Sequence, residues 1–175
     1  MKQGVTLKEF AALQALGETA AADPLTEELL LKQPDKLHKT KSIEDLTFSD
    51  FVDLEKYFID TDYINFCNIF VIDNKNVYIH NLWHIVGEFS KQKEELKQKY
   101  YYVFDPPIYG EPQKETVGTE LRKDFVNEFG PYVVLMDLVC KGDWTKYKEI
   151  EQWKVSEFLF VANYLSGQRI IENVK

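Results

Sequence analysis

Cysteine and glycine are scarce in the sequence, and neither forms a recognisable chemical motif. The two cysteines, Cys67 and Cys140, each stand in an apolar run, as reduced core residues of a cytosolic protein do. The eight glycines build no phosphate-binding loop, because Gly110 is followed closely by Pro112, where a phosphate would need backbone N–H groups. We therefore expect no catalytic cysteine and no nucleotide cofactor.

Positive charge is also scarce, and no long apolar run occurs. Lysine and arginine number 21 against 29 aspartates and glutamates, a net charge of -8. Nucleic-acid binding needs a basic surface, so no nucleic-acid site is expected. No apolar run approaches the roughly 18 residues of a membrane span, and residues 1–4 lack the apolar core of a signal peptide. These observations predict a cytoplasmic protein without a membrane segment.

Acidic side chains are concentrated in one part of the chain. Between Ser42 and Lys75 there are eight acids and two lysines, a local net charge of -6. The acids are Glu44, Asp45, Asp50, Asp53, Glu55, Asp60, Asp62 and Asp73. This 42–75 segment is either a solvated face or the binding surface for a basic partner.

Residues 1–41 are predicted to form an N-terminal helical arm and linker, ahead of a single helical domain at 42–175. Thr6 and Glu9 match a capping box that opens a helix over about 7–16, and Pro24 opens a second short helix. Helices this short are marginal alone. We expect them to dock on a neighbouring subunit, or on their own chain, through apolar side chains: Phe10, Leu13, Leu16, Leu25 and Leu29.

Hydrophobic periodicity predicts that the domain is mainly α-helical. Residues 47–58, 82–104 and 119–129 each place apolar side chains on one side at helical spacing. In the first of these, Glu55 falls on the polar side. The apolar run at 63–72 is ambiguous, because it fits either a buried helix or one strand of a small β-hairpin near 63–79.

The C-terminal helix is predicted to run from Asp143 to Leu165, with Gly167 beyond its end. Between Phe158 and Leu165 nearly every face of the helix is apolar, which implies burial on more than one side. Such a helix lies in the centre of the core or is wedged between subunits. Three of its residues are predicted to bind a partner: Phe158, Phe160 and Tyr164.

One cluster carries the residue types of a metal site. His80, His84 and Glu88 follow one another at four-residue spacing, so a helix would place them on one face. The metalloprotease pattern needs a glutamate after the first histidine, where this chain has Asn81. Asn81 is also a suitable N-cap, which would leave His80 outside the helix. We therefore predict no metal site, no catalytic residue and no cofactor.

The last third of the chain resembles known proteins in its local sequence. Gly142-Asp143 is followed by Trp144-Thr145-Lys146-Tyr147, and then by Trp153-Lys154-Val155-Ser156-Glu157-Phe158-Leu159. This stretch, within residues 130–175, resembles small helical structural or assembly proteins of tailed bacteriophages. The resemblance implies a non-enzymatic protein that packs against its own copies or other virion proteins in the neck or tail, or a chaperone of tail assembly.

Three classes of function follow from these observations. A structural or assembly protein would form oligomers with itself or with other protein subunits, in the host cytoplasm and the virion. An adaptor or tail-assembly chaperone would bind its partner through the acidic 42–75 segment. An enzyme would require a polar pocket with perturbed titratable groups. The first class is our prediction, with no small-molecule substrate.

Overall fold

The computed structural model describes residues 6–9, 11, 38–73, 77–106, 126–127 and 130–173, and helices make up nearly all the regular structure of these residues. Within these ranges the α-helices are α1 (Phe48–Ile59), α2 (Tyr63–Phe70), α3 (Leu82–Lys99), α4 (Tyr101–Phe104), α5 (Pro131–Cys140), α6 (Tyr147–Ile150) and α7 (Val155–Asn173). Short 3-10 helices lie at Ile43–Asp45, Ile79–Asn81 and Trp144–Lys146. Extended backbone in the described ranges is limited to isolated bridges. The prediction of a mainly α-helical fold is confirmed.

The chain forms two compact units that alternate along the sequence. Unit 1 comprises Met1–Ile43 and Asp53–Lys93, and unit 2 comprises Glu44–Val52 and Glu94–Lys175. Helices α1 and α3 each contribute residues to both units. The predicted boundary at residue 41, between an arm and one helical domain, stays a prediction.

Four phenylalanines from three helices form the aromatic core of unit 1. Phe58 comes from α1, Phe66 and Phe70 from α2, and Phe89 from α3, with ring centroids 5.1 to 5.9 Å apart in tilted and edge-to-face pairs. Such pairs contribute about 0.5–1.5 kcal/mol each beyond the area they bury. Aromatic packing therefore helps to hold together α2 and the parts of α1 and α3 that lie in unit 1.

The ambiguous apolar run at 63–72 begins as helix α2, so the hairpin alternative is wrong for Tyr63–Phe70. Asp62 caps this helix, because its Oδ1 accepts a hydrogen bond from the Asn65 N–H at 3.2 Å. The chain becomes extended only at Val71, which pairs with Thr40 in an isolated bridge. The Asp62 cap thus favours the helix over the hairpin strand, which periodicity alone does not distinguish.

Glu55 is buried, which contradicts its predicted place on the polar side of α1. Its Oε1 lies 2.6 Å from the Lys93 Nζ, with the Glu55 side chain 9% and the Lys93 side chain 31% exposed. Lys93 is contributed by α3. The long-range ion pair therefore accounts for the departure of Glu55 from its predicted place.

In unit 2, α7 is anchored to the beginning of α1. The Phe158 ring stacks on the Phe48 ring with centroids 3.6 Å apart and an angle of 21°. The backbone supports this contact, since the Phe48 N–H donates to the Trp153 oxygen at 2.8 Å and the Val155 N–H donates to the Leu46 oxygen at 2.9 Å. Helix α7 also packs on α4 and α5.

The helix predicted over 82–104 is interrupted at Tyr100, whose φ of -115° and ψ of 48° are not helical. The buried Tyr100 hydroxyl donates to the Ser156 oxygen at 3.3 Å. Two residues further on, the Tyr102 N–H donates to the Asn163 Oδ1 at 3.0 Å. The break places both tyrosines against α7, so tertiary contacts override the helical periodicity.

The helix predicted over 143–165 is also divided, and it ends later than expected. Residues 151–154 separate α6 from α7, because their backbone pairs with the start of α1: the Ser49 N–H donates to the Glu151 oxygen at 2.9 Å, and Thr47 bridges Lys154. Helix α7 then continues through Gly167 to Asn173. The predicted end at Leu165 is therefore wrong.

The helix predicted over 119–129 lies outside the described residues, except for Val126 and Asn127, which are helical. Gly130 has a φ of +82°, a backbone conformation that favours glycine, and Pro131 occupies the first position of α5. The Gly130-Pro131 pair thus begins α5.

Replacing Lys93 with alanine is expected to lower the free energy of unfolding by about 2 kcal/mol, because the buried Glu55 carboxylate loses its cation. The exposed neighbour Lys91 serves as control, and Lys91→Ala is expected to change stability by less than about 0.5 kcal/mol. Chemical denaturation measures both. Equal and small effects would show that the ion pair does not stabilise the chain.

Replacing Gly167 with alanine is expected to stabilise the chain by up to about 1 kcal/mol, because alanine has the higher helix propensity. A Cβ at this position would meet the Tyr102 ring at 3.4 to 3.6 Å, which is van der Waals contact. Gly87 in α3, where an added Cβ meets nothing within 4 Å, provides the matched control. A loss of stability in Gly167→Ala but not in Gly87→Ala would contradict the expected gain and would show that Tyr102 leaves no room for a methyl group at position 167.

Candidate functional site

The most distinctive surface of the described residues is an apolar stripe on α7. Phe160 is 68% exposed, Tyr164 is 59% exposed and Ile171 is 66% exposed. At 3.6 residues per turn these three side chains fall within an arc of about 40° and extend over roughly 16 Å of the helix. We call these three residues the α7 stripe.

The opposite side of α7 lies in the core of unit 2. Phe158, Leu159 and Ala162 are fully buried there, and Phe158 stacks on Phe48. Helix α7 is therefore apolar on two sides that have different environments, one packed and one exposed. An apolar side that is held on an ordered helix yet left exposed is characteristic of an interaction surface.

The three α7 residues predicted to bind a partner have different positions. Phe160 and Tyr164 belong to the α7 stripe, whereas Phe158 is fully buried and is not accessible to a partner in the folded chain. Ile171 was missed because the helix was predicted to end at Leu165. Its position seven residues after Tyr164 continues the stripe by two turns, and this spacing was the available signal.

Several side chains beside the stripe are polar or acidic. Glu157 and Glu172 are exposed at the two ends of α7 and lie on the same flank of the stripe by helical geometry. Between them, the Gln168 Nε2 donates to the Tyr164 hydroxyl at 2.8 Å, which orients the tyrosine tip. Glu157 also accepts a hydrogen bond from the Lys154 N–H at 3.2 Å, as a capping residue does.

Basic residues lie near both of these glutamates. Lys154 lies 2.9 Å from the Asp45 Oδ1, and this hydrogen bond raises the pKa of the Lys154 amine, to which the nearby Glu157 also contributes. Arg169 lines a cleft between α5 and α7 together with Glu172. The flank beside the stripe therefore has charges of both signs.

The cleft between α5 and α7 has a volume of about 420 Å³ and a mixed lining. Its lining includes charged side chains of both signs: Asp137, Lys141, Arg169 and Glu172. The Lys141 backbone has a φ of 53°, in the left-handed conformation that ends α5. No single ligand chemistry is favoured by this balance of charges.

The N-terminal residues predicted to bind a partner, Phe10, Leu13, Leu16, Leu25 and Leu29, lie outside the described residues. The capping box ahead of them is confirmed. The Glu9 Oε2 accepts from the Thr6 N–H at 2.9 Å and the Thr6 Oγ1 accepts from the Glu9 N–H at 3.3 Å. The bond from the Thr6 backbone, together with that from its hydroxyl, lowers the pKa of Glu9. Next to them, the buried Leu7 donates its N–H to the Val77 oxygen at 2.9 Å.

Half of the acids in the 42–75 segment have structural partners. Glu44 lies 2.6 Å from Lys99 Nζ, and that hydrogen bond raises the pKa of Lys99. Asp45 pairs with Lys154, Glu55 pairs with Lys93, and Asp62 caps α2. Lysines distant in sequence therefore neutralise part of the local charge.

His80, His84 and Glu88 are not grouped as three ligands of one metal ion. His80 lies in the 3-10 turn before α3, where its ring stacks on Tyr78 at 5.6 Å, and Glu88 accepts a hydrogen bond from Gln92 at 3.3 Å. In the described part of the chain no group of three or more His, Cys, Asp or Glu is arranged to hold a metal ion.

Asn81 does not have the predicted role of an N-cap. It is buried at the end of the 3-10 turn, and its Oδ1 accepts no hydrogen bond from the described residues. A capping side chain would accept a hydrogen bond from the first turn of α3. His80 is nevertheless outside α3, because the 3-10 turn precedes the helix.

Both cysteines are buried free thiols. Burial raises the pKa of Cys67 to about 12. Burial also raises the pKa of Cys140, to which Asp137 contributes by charge repulsion. A raised pKa suppresses the thiolate and hence nucleophilic reactivity, as expected for core residues.

Over the described residues, the helices include none that is both long and apolar enough to span a bilayer. The site is an apolar, solvent-exposed side of α7. In comparisons with known proteins, no family model, no curated protein and no solved structure matches the chain.

Proposed function

We propose that this chain is a non-enzymatic structural or assembly protein whose contact surface for other proteins is the α7 stripe. One observation carries the proposal: Phe160, Tyr164 and Ile171 are exposed on one side of a helix whose other side lies in the core. Aromatic side chains on a fixed backbone are the usual anchors of protein interfaces. Exposed single apolar residues need no explanation, whereas several large ones on the same side of one helix indicate a binding surface.

The anchoring of α7 supports this role. The Phe158 and Phe48 stack holds the first turns of the helix, and the Asn163 amide oxygen receives a hydrogen bond from the Tyr102 N–H. Because these contacts orient the helix before any partner arrives, binding would cost little conformational entropy. The stripe is therefore a preorganised surface.

The acidic 42–75 segment is a weaker candidate for the contact surface. The adaptor or chaperone alternative relies on its acids being available to a basic partner. Four of them instead hold lysines or cap a helix, as Glu55 does with Lys93 and Asp62 with α2. Because these acids already have partners within the chain, α7 is the better candidate for the contact surface.

The titratable groups support a non-enzymatic role. The shifted pKa values of Glu9, Lys99, Asp143 and Lys154 each follow from hydrogen bonds at exposed caps or ion pairs. The Cys67 and Cys140 thiols have pKa values raised by burial, which is opposite to the shift of a nucleophile. Shifts of these origins are structural and do not indicate an active site.

The setting we propose is the neck or tail of a tailed bacteriophage, or the assembly of that tail in the host cytoplasm. The resemblance that suggests it includes Trp153–Leu159, which covers the first turns of α7. In this setting the partner is another copy of the chain or another virion protein.

A photo-crosslinking residue tests whether the stripe contacts protein in the cell. With p-benzoylphenylalanine in place of Phe160, illumination of the cells that naturally produce the protein is expected to give a covalent adduct heavier than the 20.6 kDa chain. Ile59 in unit 1, 73% exposed, is the matched control and is expected to give little or no adduct. Equal adducts at both positions, or none at 160, would contradict the proposed contact surface.

A further inference from the structure

We propose that residues 39–43 form a strap that fastens the N-terminal segment to unit 1 of its own chain, with the Gln92 side-chain amide bound to its backbone. The strap belongs to unit 1 and the α7 stripe to unit 2, so this inference is independent of the proposed contact surface. It decides between the two docking surfaces that the sequence leaves open for the N-terminal helices, a neighbouring subunit or the same chain.

The first half of the strap pairs with the end of α2 through its backbone. The Lys41 N–H donates to the Phe70 oxygen at 2.7 Å, and the Ile72 N–H donates to the Lys39 oxygen at 3.0 Å. These two bonds enclose one isolated antiparallel bridge. The end of the predicted arm and linker is therefore bound to unit 1 as a short extended segment.

The Gln92 side chain holds the second half of the strap. Its Oε1 accepts a hydrogen bond from the Ile43 N–H at 2.8 Å, and its Nε2 donates to the Lys41 oxygen at 3.4 Å. One primary amide thus pairs with both a donor and an acceptor of the strap backbone, as a neighbouring strand would. The Nε2 also donates to the Glu88 Oε1 at 3.3 Å, which orients the amide.

A second anchor holds the beginning of the N-terminal segment. The Leu7 N–H donates to the Val77 oxygen at 2.9 Å, and the Leu7 side chain is buried. Beside it, Thr6 forms an isolated bridge with Tyr78, again within unit 1. The apolar residues predicted to bind a partner, within 10–29, lie in sequence between the two anchors. A neighbouring subunit could therefore draw this stretch away from unit 1 only after one anchor opens.

The strap is held mainly by hydrogen bonds and only slightly by buried surface. Lys39, Lys41 and Ser42 are exposed, Thr40 is half-buried, and Ile43 is the one buried residue of the strap. Backbone bonds at the surface with little apolar burial open at low free energy, without unfolding of the packed helices. The strap can therefore open while the aromatic core of unit 1 stays folded.

An engineered disulfide tests whether the strap binds its own chain. Lys39 and Ile72 are exposed and lie opposite each other in the antiparallel pairing, which places their Cα atoms roughly 5.5 Å apart, within the range of disulfides. The full chain with Lys39→Cys and Ile72→Cys is expected, on mild oxidation, to form an intrachain disulfide. It would then run as a 20.6 kDa monomer on a non-reducing gel.

The chain with Lys39→Cys alone is the control, and it gives the background of dimers formed by random collision. Peptide mapping by mass spectrometry identifies the linked positions and separates them from the buried native thiols of Cys67 and Cys140. A covalent dimer linked between positions 39 and 72 would show an arm exchanged between two copies. Either that dimer, or the absence of a disulfide between these positions, would overturn the proposal.

Replacing Gln92 with alanine tests its part in closing the strap, and Gln98→Ala, at an exposed position of the same helix, is the matched control. Hydrogen–deuterium exchange followed by NMR is expected to show about tenfold faster exchange of the Lys41 and Ile43 amides in Gln92→Ala. The Val71 amide, at the end of α2, is expected to keep its rate within about twofold. No acceleration, the same acceleration in Gln98→Ala, or uniform acceleration across unit 1 would overturn the strap.

Discussion

The arrangement of α7 depends on one aromatic contact, the stack of Phe158 on Phe48. At 3.6 Å between centroids it is the closest ring pair among the described residues, and both rings are buried. The backbone bonds of Phe48 to Trp153 and of Val155 to Leu46 flank it. Because Phe158 and Phe160 are about 200° apart around the helix, burying the first turns the second outward. The exposed stripe is thus a consequence of the core contact.

Part of the negative charge takes part in local structure. Three acids of the 42–75 segment are paired with lysines distant in sequence, one pair in unit 1 and two in unit 2, as Glu44 is with Lys99. On α7, Glu157 accepts a hydrogen bond from the Lys154 N–H. Several carboxylates that contribute to the net charge of -8 therefore stabilise local structure.

Local signals in the sequence predicted the class of the fold and part of the site. The Thr6 and Glu9 capping box and the helical pattern at 47–58 are present in the structure, because caps and periodicity depend only on neighbouring residues. Phe160 and Tyr164 were predicted to bind a partner because nearly every face of their helix is apolar. Which of its faces would be exposed could not be predicted, because that depends on the contact of Phe158 with Phe48, more than 100 residues away.

The other differences between the predicted and the observed structure also result from long-range contacts. The break at Tyr100 depends on Ser156, and the burial of Glu55 depends on Lys93. The interruption at 151–154 depends on pairing with the start of α1. Each partner is distant in sequence, so periodicity within a window of one helix contains no signal of it.

The division of α7 into a packed and an exposed side can be tested by comparing two alanine variants of the full chain in chemical denaturation. Phe158→Ala is expected to lower the free energy of unfolding by about 3–5 kcal/mol, as removal of a buried phenylalanine does. Phe160→Ala, two residues away, is expected to change it by no more than about 0.5 kcal/mol. Similar losses in the two variants, or a larger loss for Phe160→Ala, would contradict the exposed stripe and the functional proposal that rests on it.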